Sequence, residues 1–119
     1  MKYARLFTNS EGVSSFSEEY VTFSAKEFAP PLPPLPISAF TDQKRLGFLD
    51  LPALSDFGWH PAPARQFMVL LQGRVDIVAG TGEVQHFEPG ALLLLEDTIG
   101  QGHQTKVTSA DDAIFAVIQ

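Results

Sequence analysis

Residues 59–73 read Trp59-His60-Pro61-Ala62-Pro63-Ala64-Arg65-Gln66-Phe67-Met68-Val69-Leu70-Leu71-Gln72-Gly73. A histidine stands just ahead of two prolines. Gln66 then opens a run whose other members are almost all apolar, and Gly73 ends it. An apolar run bounded by proline and glycine reads as a β-strand. Side chains alternate along a strand, so Gln66, Met68 and Leu70 share one face while Phe67, Val69 and Leu71 share the other. If Gln66 faces an interior cavity, Met68 and Leu70 line it too. A second stretch, Glu96-Asp97-Thr98-Ile99-Gly100-Gln101-Gly102-His103, puts another histidine at the mouth of a strand. The two stretches are expected to form the wall and lip of one pocket.

Outward from this centre the chain is divided by turn signals. Towards the C-terminus, Arg74–Val78 reads as a strand, Ala79-Gly80-Thr81-Gly82 as a hairpin turn, 82–87 as a strand and Glu88-Pro89-Gly90 as a turn. Ala91–Leu95 is continuously apolar and reads as a strand buried on both faces. Gln104–Val107 and Ala113–Ile118 are the last strands. Towards the N-terminus, Asp56-Phe57-Gly58 reads as a turn and Leu46–Leu51 as a short strand closed by Pro52, with Phe40–Phe48 ambiguous. Pro30-Pro31-Leu32-Pro33-Pro34-Leu35-Pro36 cannot be a helix or a central strand, because proline lacks an N–H and fixes φ. It is expected to run as an extended strap across the barrel, anchored by Leu32, Leu35 and Ile37. Tyr20–Ala25, rich in β-branched and aromatic residues, reads as a strand, Thr8–Gly12 as a turn and Tyr3–Phe7 as the first strand. Many short strands, frequent turns and no strong helix indicate an all-β sandwich or barrel.

Composition narrows the function classes. At 119 residues the chain fits a single domain with one core. Its 45% hydrophobic and 18% charged residues are those of an ordinary globule. A net charge of −6 argues against nucleic acid as a partner. The absence of cysteine excludes disulfides, thiolate metal sites and a cysteine nucleophile. No apolar run is long enough to span a bilayer. None follows Met1-Lys2 as a secretory signal would, so a cytoplasmic location is expected.

On these residues the chain resembles the cupins, small double-sheet jelly rolls. The family's first motif runs G-x5-H-x-H-x3,4-E-x6-G. His60, Ala62, Gln66 and Gly73 fall in the register of its two histidines, its glutamate and its last glycine. The second motif runs G-x5-P-x-G-x2-H-x3-N. Gly100 and His103 match its G-x2-H, Asp97 or Thr98 stands near its proline, and Val107 replaces its asparagine. Pro89-Gly90 resembles the turn between the motifs. Trp59–Pro63 with Arg65-Gln66, and Glu96–His103, look more narrowly like a subgroup of small bacterial cupins. The resemblance covers about residues 57–118 and implies a jelly-roll barrel, with 1–56 as an N-terminal extension carrying the proline-rich strap. It also implies a homodimer formed through sheet edges or N-terminal strands. Residues 1–28 and the strap are expected to cover the barrel's open edge.

A full cupin site holds a divalent metal with three histidines and a carboxylate. Here Ala62 offers no ligand and Gln66 a neutral oxygen, which leaves His60, Gln66 and His103 as metal-ligand candidates for zinc, iron, manganese or nickel. His60 and His103 are also candidates for acid/base catalysis. Gln66, Met68 and Leu70 are expected to line the pocket. Arg65 either grips an anionic substrate or forms a solvent ion pair, and Trp59 either walls the pocket or plugs the barrel end. Glu96 or Asp97 orients His103 or closes the turn. Gly100 and Gly102 read as turn glycines, and His86 as a sheet-surface residue. The expected function is a cupin that binds a small molecule in an apolar pocket. The alternative is a cupin enzyme of isomerase, lyase, cyclase or dioxygenase type, with a weak metal centre or metal-free histidine chemistry. An interaction role for the proline segment is a third reading.

Overall fold

The computed structural model describes residues 1–119 as twelve strands without a helix. In chain order they are β1 (Lys2–Thr8), β2 (Ser14–Tyr20), β3 (Ser24–Lys26), β4 (Leu35–Ile37), β5 (Leu46–Leu51) and β6 (Asp56–His60). There follow β7 (Gln66–Gln72), β8 (Val75–Val78), β9 (Val84–Phe87), β10 (Leu92–Glu96), β11 (His103–Val107) and β12 (Ala113–Ile118). A six-stranded sheet has the order β2-β1-β10-β7-β12-β5, and a four-stranded sheet the order β6-β11-β8-β9. Their inner faces share one core, with Leu6, Leu93 and Phe115 from the first sheet and Val75, Ile77 and Val107 from the second. Burial alternates along β7, β8 and β11, as it must where one face meets the core. This is the expected all-β double-sheet jelly roll, with the two sheets left open to one another at their margins.

The N-terminal half is more deeply built in than an extension would be. β1 runs parallel to β10 in the middle of the larger sheet, and its Leu6 is a core residue. The strand expected over Tyr20–Ala25 is displaced. Ser14–Tyr20 pairs with β1 from Thr8↔Ser14 to Lys2↔Tyr20, and Val21-Thr22-Phe23 has no strand geometry. The reason is the turn. The Asn9 side chain accepts hydrogen bonds from the N–H groups of Glu11 and Val13, which folds the chain back at once. Hairpin pairing then makes a strand of a serine- and glutamate-rich segment that its own propensity would not.

The proline segment is not a strap across the barrel. β3 and β4 pair antiparallel, Ser24↔Ile37 to Lys26↔Leu35, as a two-stranded ribbon separate from both sheets. The prolines form its tip, with a cis Pro30–Pro31 bond and the Leu32 N–H donating to the Ala29 carbonyl. Leu32 is exposed rather than anchored. Pro36 is tolerated because a two-stranded ribbon consists only of edges.

The expected turn at Asp56-Phe57-Gly58 is instead the start of β6. Asp56 and Phe57 pair with Lys106 and Thr105, and His60 with His103. Two residues of β6, Gly58 and Trp59, therefore stand opposite one residue of β11, Gln104. The surplus residue makes a β-bulge, which this edge strand can absorb.

Candidate functional site

The bulge decides which side chains of β6 enter the barrel. Strict alternation from the inward Phe57 would turn Trp59 inward and His60 outward. One extra residue reverses this. Phe57 and the still exposed His60 both line a cavity of about 260 Å³ between the sheets, while Trp59 is off its wall. β7 supplies Gln66 and Met68 to the same wall. Leu70 shares their face but lies past the cavity, fully buried in the core. Cross-strand pairing adds Leu95 opposite Gln66 and Leu93 opposite Met68. Leu49 and Leu51 of β5, Ile77, Thr105 and Phe115 were not singled out by the sequence pattern, yet they too line the cavity. Strand alternation places them on inward faces only once the register is known.

Ala62 lines the cavity at the position of the family's second histidine, and its N–H donates to the Asp97 carbonyl. That bond draws the segment after β6 against the end of β10. Gly102 lies in the same crossing, with φ at +74°. A Cβ there would run into the carbonyl of His60, so glycine lets the two histidine-bearing segments meet. The His60 and His103 rings lie 4.7 Å apart, centroid to centroid, inclined at 56°.

Hydrogen bonds set the face each ring presents. His60 Nδ1 lies 2.7 Å from the Gly58 carbonyl, which can only accept. His103 Nδ1 lies 2.6 Å from Asp97 Oδ2, and an ionised carboxylate likewise only accepts. In its neutral form each ring therefore carries the proton on Nδ1 and a free lone pair on Nε2. His103 is 3% exposed and Asp97 fully buried. The other Asp97 oxygen, Oδ1, has no hydrogen-bond partner within the protein. Gln66 Oε1 accepts from Gln119 Nε2 at 2.8 Å, and its own amide nitrogen faces the soft sulfur of Met68 at 3.6 Å.

The neighbouring acid takes neither role expected of it and forms ion pairs instead. Glu96 is bonded by Arg5 and, at 2.8 Å, by Arg65. Arg65 also stacks over the Phe67 ring and is not on the cavity wall. The adjacent Arg5 guanidinium, supported by Arg65, holds the Glu96 carboxyl below its ordinary value of 4.5 against the opposing effect of partial burial. A depressed folded-state pKa contributes stability above the unfolded value and loses it as pH falls through the folded one. Glu96→Gln is therefore expected to cost about 1 kcal/mol at pH 7 and progressively less as pH falls through the depressed folded-state value. Urea midpoints along an acid pH series check this, and a deficit that does not shrink towards low pH would refute it. His86, as expected, is on the sheet surface, 2.5 Å from Asp76.

The donor set does not fit a tightly held metal. Two imidazole nitrogens are free, and their Nδ1 partners resemble those of metal-bound histidines. The third candidate oxygen, on Gln66, is already used by Gln119. No group of three histidine, cysteine, aspartate or glutamate side chains converges anywhere in the chain. Catalytic zinc sites take three protein ligands. Gln66→Glu would restore an anionic ligand on the same wall. Its affinity for Ni²⁺ or Zn²⁺ is expected to rise at least about tenfold over wild type by titration calorimetry. An unchanged affinity would show that the carboxylate does not reach the imidazoles.

No helix of the chain is long and apolar enough to cross a membrane. No protein-family description matches the sequence, and no curated protein matches it. Among solved structures, the chain is similar to the cupin domain of Schizosaccharomyces pombe Cnp3. The identity is 11% and the TM-score 0.51, over 99% of this chain and 81% of that one. It is also similar to a putative ethanolamine utilization protein Q from Salmonella typhimurium LT2. There the identity is 14% and the TM-score 0.44, over 99% of this chain and 94% of that one. The first likeness, together with the two facing sheets, establishes the cupin fold.

Proposed function

We propose that this cupin-fold chain binds a small, mostly apolar molecule that carries one or two hydrogen-bond donors, such as a phenolic hydroxyl. The supporting observation is the cavity. Nine of its 14 lining residues are hydrophobic, and its histidines present Nε2 lone pairs fixed by Gly58 and Asp97. An apolar cleft with a few placed polar groups is the usual make-up of a small-ligand site. At about 260 Å³ it suits a ligand near the size of one substituted ring.

Phenol and toluene have nearly the same shape and differ by a hydroxyl for a methyl. Phenol is expected to bind the full chain at least about tenfold more tightly, because only phenol can donate to Nε2. His103→Ala should weaken that preference, with His60 as the remaining acceptor, while leaving toluene binding within about twofold. Equal binding of the two compounds, or none, measured by amide chemical-shift titration, would sink the reading.

One observation favours catalysis as a second reading. A buried Asp97–His103 pair orients an imidazole as a general base, and a carboxylate with a single hydrogen bond is expensive to keep in a core. In this reading His103 Nε2 takes a proton from the bound molecule and returns it. Deuterium exchange into the α-carbon of a small ketone in D₂O, lost in His103→Ala, would support it. Exchange equal to the buffer rate would rule it out for that class.

A further inference from the structure

The polar side chains on the cavity wall are His60, Gln66, His103 and Thr105. Both neutral imidazoles are turned so that Nε2 accepts. The Thr105 hydroxyl rotates and can serve either role. Gln66 is the remaining one, and its surroundings settle which end of its amide meets the cavity. Gln66 is 6% exposed, so protein contacts rather than solvent hold that amide. Its Oε1 accepts from Gln119 Nε2 at 2.8 Å, and Gln119 is not on the cavity wall. Its Nε2 lies 3.6 Å from Met68 Sδ, and Met68 is on that wall. The oxygen end is thus turned away from the cavity and the nitrogen end lies along it.

The reversed amide would be worse. Gln66 Nε2 could donate to Gln119 if that side chain turned over too, but Gln66 Oε1 would then face a thioether, which has no proton to give. The observed orientation makes two hydrogen bonds where the reversed one makes one. An amide nitrogen carries two N–H groups, and sulfur is a weak acceptor for one of them. The second finds no acceptor in the protein. A buried donor left over in this way is costly, and a ligand oxygen would satisfy it.

Resting on the reading that the cavity binds a small hydrogen-bond donor, we propose that its ligand also carries a carbonyl. The class is a neutral carboxamide or lactam on an apolar ring. Gln66 Nε2 donates to the carbonyl oxygen, and the ligand N–H donates to an imidazole Nε2. A carboxylate is refused, because it has no proton for the imidazole lone pairs and brings a second negative charge beside the Asp97–His103 pair. Gln119 is a positioning residue: it fixes the Gln66 amide without touching the ligand.

Benzamide, acetophenone, isopropylbenzene and benzoate have nearly the same shape, and amide chemical-shift titration of the full chain at about pH 7.5 ranks them. Benzamide is expected to bind about fivefold more tightly than acetophenone, which lacks the N–H, and at least about tenfold more tightly than benzoate. Acetophenone should bind about fivefold more tightly than isopropylbenzene, which lacks the carbonyl as well. Gln119→Glu tests the orientation. A carboxylate only accepts, so Gln66 must turn its nitrogen towards it and its oxygen to the cavity. Acetophenone should then bind no better than isopropylbenzene, while phenol still binds more tightly than toluene. If circular dichroism shows that this variant does not fold, Gln66→Met removes the donor at nearly constant volume and should erase the same preference. Wild-type protein that binds acetophenone no better than isopropylbenzene, or benzoate as tightly as benzamide, would overturn the proposal. A phenol preference over toluene in that same protein would leave the simpler donor-binding reading standing. An acetophenone preference that persists in the folded variant would overturn the proposal as well.

Discussion

Gly102→Ala is expected to destabilise the protein by at least about 3 kcal/mol and to lower its melting temperature by roughly 10 °C or more. Two effects combine. A φ of +74° suits glycine and strains any side chain with a Cβ. In addition, the new methyl group would meet the backbone of His60 and Pro61, and backbone cannot swing aside as a flexible side-chain tip can. The chain must then separate the end of β6 from the start of β11. Those segments hold the two histidines together, so the damage should be local to the site as well as global. Urea unfolding gives the stability. The ring nitrogen resonances of His60 and His103 report their separation. A melting temperature within about 2 °C of wild type would show that the crossing is loose, and that glycine is not needed there.

Asp97→Ala is expected to be felt at the site more than its size suggests. It removes the acceptor of His103 Nδ1, at a cost of about 1–3 kcal/mol for the stranded donor. It also removes a buried carboxylate with an unpartnered oxygen, which offsets part of that cost. A net loss of about 2 kcal/mol follows. The site effect goes through the ring, since without the carboxylate nothing holds the proton on Nδ1. Nε2 then ceases to be a fixed acceptor, and phenol binding should fall about tenfold. A double-variant cycle separates this from general loosening. In a His103→Ala background, Asp97→Ala should leave phenol binding unchanged and should stabilise the fold, because only the lone buried charge remains to be removed. Long-range ¹H–¹⁵N spectra of the ring should show Nδ1 protonated in the wild type and not in the variant. If Asp97→Ala cuts phenol binding equally with and without His103, Asp97 does not act by positioning that histidine.

The architecture was largely legible because its signals are local. Alternation over Gln66–Leu70 puts Gln66, Met68 and Leu70 on one face without knowledge of any neighbour, since the period of two belongs to the strand itself. Turn chemistry marks the β8–β9 hairpin at Ala79–Gly82, and the turn at Glu88–Gly90 that carries the chain from one sheet to the other, for the same reason. The sequence also shows that half of a metal-binding pattern is missing, because Ala62 and Gln66 can be read directly.

What only tertiary structure decides is what depends on pairing across the fold. His60 faces inward and Trp59 outward because Phe57 and His60 are held by Thr105 and His103, with one residue to spare between them. Asp97 rather than Glu96 orients His103, because neighbours on a chain point opposite ways and the Glu96 side meets Arg5 and Arg65. Gln119, 53 residues away in sequence, takes the oxygen that Gln66 might have offered a ligand. The serine-rich β2 is a strand because β1 lies beside it, and the prolines cap a ribbon because β3 and β4 find each other. A single chain carries its periodicities and its turns within itself. Register, bulges and hydrogen-bond partners are properties of two segments at once, and they exist only when the fold has brought those segments together.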